Sequence, residues 1–148
     1  RRSDQTLEFD YARVTEKSRE NPVFYVQYAH ARASSVLRQA EGQPVMGAAA
    51  GRLVDIHEVR VIRQLASFPH MVKSAALSLE PHRIAFYLID LASLFHGLWN
   101  AGRDNSELRF ICDNDDELTS ARLALVSATR GVISQGLSLM GITALEEM

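Results

Sequence analysis

Apolar residues recur every three or four positions through most of the chain, and this rhythm predicts an all-α protein, a helical bundle of about five to six helices. The best-marked helix starts after Asn21, whose side chain can accept from free N–H groups of a first turn, with Pro22 placed where its missing N–H costs nothing. At roughly 100° per residue, Val23, Val26, His30, Ala33 and Leu37 share one stripe, which is assigned to the core. Tyr25, Tyr28 and Arg32 gather on a second stripe roughly 150° away, so two phenols and a guanidinium stand side by side on another face. The helix is expected to end near Ala40 or Glu41, because Gly42 follows and Gln43 to Gly51 reads as a loop.

The same reading orders the rest. Leu7 and Phe9 are expected in a short extended lead, with Asp10 expected to cap a short helix over 11–18. Asp55 opens a helix in which Ile56, Val59, Ile62 and Ala66 repeat, expected to stop at Pro69. Met71 to Leu79 is read as a separate helix, broken by Glu80-Pro81. From His82 to Ala101 the chain is apolar on nearly every side, which marks the central helix, and Gly102 is expected to end it. Leu108 to Cys112 is expected to lie extended over the surface, and Asn114 to cap the last helix. There Leu118, Ala121, Leu125, Ala128, Val132 and Leu139 define the buried stripe, Gly131 and Gly136 permit close contact, and Gly141 is the stop.

Composition narrows the function. At 148 residues and 47% hydrophobic, the chain can bury a core without disulfide or metal. Cys112 is the only cysteine, so no internal bridge forms; a reducing cytoplasm is the expected setting, with the thiol a packing residue. No uninterrupted apolar run approaches a membrane span and no signal peptide is visible, so no membrane partner is expected. A net charge of −2 argues against sequence-blind coating of nucleic acid and leaves room for a small, selective contact. Arg52, Arg60 and Arg63 form a basic edge, read first as a solvated face.

Catalytic groups are sparse. The histidines, His30, His57, His70, His82 and His96, show no HExxH or Cys/His ligand spacing, and His30 falls on the packing stripe. Gly47 to Gly51 lacks the spacing of a phosphate loop, no G-x-S-x-G elbow occurs, and the acidic run Asp115, Asp116 and Glu117 suits a helix N-terminus rather than a metal. No catalytic residue, cofactor or metal is therefore assigned to this chain. The Tyr25, Tyr28 and Arg32 face suits unpaired nucleotides, whose bases stack on aromatic rings and arginine planes; packing against a neighbouring helix is the alternative.

Asn21-Pro22-Val23-Phe24-Tyr25-Val26-Gln27-Tyr28-Ala29-His30-Ala31-Arg32 resembles the opening of the C-terminal anticodon-binding domain of bacterial arginyl-tRNA synthetases. Glu80-Pro81-His82-Arg83-Ile84-Ala85, Leu91 to Asn100, Ala121 to Leu125 and the ending Leu139 to Met148 agree with that family in order. The resemblance implies an α-helical domain over 21–148 and a linker with a short helix over 1–20 leading from a catalytic domain. It further implies that the tRNA anticodon-binding residues are Tyr25, Tyr28, Arg32, Phe95 and Met148, with Phe95 standing where some members have tyrosine. The partners implied are the arginine tRNA and the protein's own catalytic domain, in a cytoplasmic monomer. The intact enzyme would use ATP and Mg²⁺, whose binding signatures, H-x-G-H and a K-M-S-K-S-like loop, are missing here. The corresponding domain of another class I synthetase, such as cysteinyl, and a helical protein-interaction module are the alternatives.

Overall fold

The computed structural model describes residues 21–40 and 49–148. The lead and short helix expected over 1–20, and the loop over 42–48, lie outside the described residues. Among those described, four α-helices account for the fold: α1 (Pro22–Gln39), α2 (Ile56–Leu77), α3 (His82–Asp104) and α4 (Asp116–Leu139), with single 3₁₀ turns at Ala50–Arg52 and Ser106–Leu108. Asn21 accepts from the Val23 N–H and caps α1, with Pro22 in its first turn, as its sequence requires.

α3 is central. It packs on each of the other three helices, α2 mainly on α3, and α1 mainly along α4. Leu88, Leu91, Ala92 and Phe95 are each 0% exposed. By length and composition α3 would pass for a membrane span, but the bundle covers its apolar stripe.

Several expected boundaries move once packing is present. α2 continues through Pro69 without a break, so the two helices expected there are one. An internal proline removes one backbone donor and costs about 3 kcal/mol. Burial of Phe68 before it and Ala75 after it anchors both halves on the core, and the Phe68 ring lies 5.4 Å from that of Tyr87. The Tyr87 and Ser67 hydroxyls donate to the Gln64 carbonyl one turn ahead of the proline. α2 then ends on Leu79, in the left-handed region at φ 54°, with its N–H on the Ala76 carbonyl.

Gly102 does not end α3; the helix continues to Asp104. A β-carbon at Gly102 would come 2.7 Å from the Leu108 carbonyl oxygen, so glycine is needed for close approach of the following loop rather than for a turn. That loop is not extended over the surface. Its 3₁₀ turn brings Phe110, 9% exposed, into a stack on Phe95 at 6.0 Å. Asp115, not Asn114, caps α4 by accepting from the Leu118 N–H. Its carboxyl is held below its ordinary range by that N–H and then by Arg52, which also meets Glu117 and so is no free basic edge.

On α4, Ala121 and Leu125 are buried, whereas Ala128 and Leu139 are exposed, contrary to the expected stripe. That stripe had a seven-residue period; a straight helix drifts by about 20° per heptad, which carries the buried face to Arg122, Val126, Thr129, Ile133 and Leu137. Gly136 meets the Leu88 side chain, while Gly131 faces open space.

Arg122 is the polar centre of this core. Its Nε donates to Glu58 Oε1 at 2.7 Å, with the two side chains 5% and 1% exposed. Its Nη1 donates to the Glu107 and Arg109 carbonyls, both at 2.8 Å. Glu58 Oε2 accepts from the Asp55 N–H in the capping box that starts α2. One guanidinium thus ties α4, the start of α2 and the loop after α3 together.

Candidate nucleic-acid interface

The Tyr25, Tyr28 and Arg32 face of α1 meets the C-terminal half of α3. Val26, His30 and Ala33 are buried as their spacing requires, while Val23 at 40% exposure and half-buried Leu37 mark the ends of that stripe. Tyr25 is half-buried and turns the edge of its ring to His96, 4.8 Å between centroids. Tyr28 lies 5.5 Å from the same imidazole.

Arg32 reaches between aromatic planes. Its guanidinium carbon is 4.5 Å from the Tyr28 centroid and 4.6 Å from that of Trp99. Nη2 donates to the Tyr28 hydroxyl at 2.8 Å and Nη1 to His96 Nδ1 at 2.9 Å. The other N–H groups of the fork have no acceptor among the described residues. Trp99 packs on the core and Phe110 as well as lining the cleft, and His96 has no ligand spacing that would single it out. Both face Arg32 because α1 crosses α3 at this level, which no local pattern encodes.

Phe95 requires a correction. At 0% exposure and stacked on Phe110, it offers no ring face to a base. Trp99, one turn further on, lines the cleft that Phe95 does not reach.

The tail completes the site. Met140 caps α4, Gly141 takes φ +71°, and the Ile142 N–H returns to the Leu137 carbonyl, which reverses the chain. The tail then runs alongside α1 in the same direction. Gln27 Nε2 donates to the Thr143 carbonyl and His30 Nδ1 to the Leu145 carbonyl, each at 2.8 Å, and Arg38 Nη1 reaches the Glu146 carbonyl at 3.3 Å. His30 is thus the hydrogen-bonded core histidine that its stripe implied. These bonds bring Met148, 56% exposed, to a cleft of about 420 Å³ whose walls include Tyr28, Arg32, Arg38, Trp99 and Glu147.

The Glu146 carboxyl is lowered from its ordinary 4.5, first by the Ser34 hydroxyl, then by His30, Arg130 and Arg38. Ser34 Oγ is buried with no acceptor inside hydrogen-bond distance, so the Glu146 carboxylate is a looser neighbour than the backbone pins. A depressed carboxyl contributes stability above its unfolded pKa and loses it as pH falls through the folded value. Tail docking is therefore expected to loosen below about pH 4.5, with faster amide exchange at Leu145 and Glu146, and Glu146→Gln is expected to remove that pH-dependent part. An identical acid response in Glu146→Gln would assign the effect elsewhere.

The charge in the cleft is mixed. Arg32 and Arg38 face Glu146 and Glu147, with Arg38 and Glu147 3.6 Å apart. Carboxylates beside the cations disfavour a phosphate and favour a neutral base held by stacking and edge hydrogen bonds. A second hollow, about 620 Å³ between His30, Arg130, Gln135 and Glu146, has no tyrosine, tryptophan or phenylalanine on which a base could stack. Among the described residues no group of three potential ligands could hold a metal.

Known proteins share this fold. The arginine–tRNA ligase of Rhizobium meliloti is 54% identical over 156 residues, and that of Rhodospirillum rubrum 51% over 158; each match takes in 100% of this chain and 27% of the relative. The chain thus spans about a quarter of the length of these relatives. Two solved structures share the fold. Thermus thermophilus arginyl-tRNA synthetase matches with a TM-score of 0.65 and 35% identity, over 84% of this chain and 21% of that one. A Campylobacter jejuni protein described as a candidate arginyl-tRNA synthetase matches with a TM-score of 0.80 and 27% identity, over 100% of this chain and 31% of that one. The DALR anticodon binding domain family matches residues 26–148, from the second turn of α1 through the tail that walls the cleft, and this chain belongs to that family.

Proposed function

We propose that this chain recognises unpaired anticodon-loop nucleotides of the arginine tRNA, as the anticodon-binding part of a longer arginine–tRNA ligase. In that reading the remaining length of the protein carries ATP, Mg²⁺ and the joining of arginine to its tRNA, and this chain supplies affinity and selectivity. The observation that carries it is the Tyr28, Arg32 and Trp99 stack, open to the cleft and walled by the tail. Tyr28 and Trp99 offer ring surface to bases turned out of a loop. Arg32 offers unspent N–H donors to a base edge with paired acceptors, Tyr25 supports the stack from the core side, and Met148 supplies an apolar contact.

Trp99 is the only tryptophan, so its fluorescence reports on the cleft alone. Titration with an arginine anticodon stem-loop is expected to saturate, and a scrambled loop of equal length to bind more weakly. Tyr28→Ala is expected to weaken binding of the cognate loop by about 1–3 kcal/mol, the usual range for one stacked base. Equal affinity for both loops, or no loss in Tyr28→Ala, would remove the reading.

A further inference from the structure

We infer that His96 is the positioning residue that presents Arg32 to the RNA, and that it does so only as a neutral imidazole. The inference rests on the nucleotide-binding reading of the cleft. Arg32 Nη1 is a donor under all conditions, so His96 Nδ1, 2.9 Å away, accepts and carries the lone pair. The ring proton then lies on Nε2, which faces the Tyr25 carbonyl at 3.5 Å. His30 holds the opposite arrangement, since its Nδ1 must donate to the Leu145 carbonyl. Two histidines of one small domain are thus set in different tautomers by what each faces.

His96 is 8% exposed and wedged between the Tyr25 and Tyr28 rings, so its acceptor is fixed in direction. A fixed acceptor at one end of the fork, with the Tyr28 hydroxyl beside it, holds the guanidinium between Tyr28 and Trp99 and leaves its other donors for a ligand. Without that acceptor a long arginine side chain would sample several rotamers, and binding would have to order it again. Protonated His96 has no lone pair at Nδ1 and sets a second positive charge against the guanidinium. Among the described residues, the charged or titratable groups that face the ring are Arg32, Tyr25 and Tyr28 of α1; Glu146, Glu147 and Arg38 line the cleft beyond Arg32. RNA affinity should therefore fall as pH drops through the imidazole range.

The test uses the full 148-residue chain, the anticodon stem-loop and Trp99 fluorescence between pH 5.5 and 8. Wild-type affinity is expected to fall by about tenfold between the alkaline and the acid end of this range, as His96 takes up a proton. His96→Asn places an amide oxygen near the Nδ1 position and does not titrate, so it is expected to stay close to wild type at pH 8 and to flatten the profile. His96→Leu is expected to lose about tenfold at pH 8 and nothing further in an Arg32→Ala background, which separates positioning from a general packing role. Equal pH profiles for wild type and His96→Asn would overturn the inference, as would an equal loss from His96→Leu with and without Arg32. If the leucine variant does not fold, the asparagine profile decides. The ¹⁵N signal of His96 Nδ1 in the free chain at pH 8 is expected to be that of an unprotonated nitrogen. A protonated Nδ1 there overturns the inference whatever the RNA does, whereas failure of Tyr28→Ala to weaken binding strikes the nucleotide reading itself.

Discussion

Arg122→Ala is expected to destabilise the fold by about 3–5 kcal/mol, the cost of leaving a buried charge without its partner. Glu58 is 1% exposed and would keep only the Asp55 N–H on its other oxygen. The Glu107 and Arg109 carbonyls would lose their donor in the same substitution, freeing the loop that seats Phe110. Urea unfolding measures it: the midpoint should drop with the slope unchanged. Replacing both partners at once, Glu58→Leu with Arg122→Met, is expected to cost much less than the sum of the single changes, because no uncompensated charge remains. A loss below about 1 kcal/mol for Arg122→Ala would mean that water reaches Glu58 easily and that the pair is no structural centre. In a domain whose whole stability is on the order of 5–15 kcal/mol, the expected loss is a large fraction of the total.

Phe95→Ala is expected to cost about 3–5 kcal/mol through the cavity it leaves, in line with other large core truncations. Every face of this ring is covered and Phe110 stacks on it, so the loss should appear in unfolding rather than in binding. Phe95→Met fills more of the space and separates the two roles. The folded methionine variant is expected to bind the anticodon stem-loop within about twofold of wild type, whereas a lost base stack would cost about 1–3 kcal/mol. Affinity lost at constant stability would return Phe95 to the binding surface.

Much of the fold and part of the site can be read in the residues. Asn21-Pro22 marks the start of α1, and the spacing of Tyr25, Tyr28 and Arg32 separates them from the Val26, His30 and Ala33 stripe, because capping and helical period act over a few residues. The all-round apolarity of α3 shows that it is central. Elements that differ from the local reading do so where distant contacts outweigh propensity. Pro69 is carried inside α2 by Phe68 and Ala75, and Gly102 is required by the approach of the Leu108 carbonyl.

The candidate site divides in the same way. Sequence by itself determined the helical class, the outward turn of Tyr28 and Arg32 from the α1 core, and the place of the acidic run at the start of α4, since each follows from groups a turn or less apart. Only the tertiary structure decided that Trp99 faces the cleft while Phe95 is sealed, that His96 meets Arg32 across 64 residues of chain, and that the tail returns along α1 to His30 across 115. The pairing of Glu58 with Arg122 belongs to the same group. The physical reason is that these contacts depend on how helices cross, which is set by the summed burial of the whole core and not by any short segment.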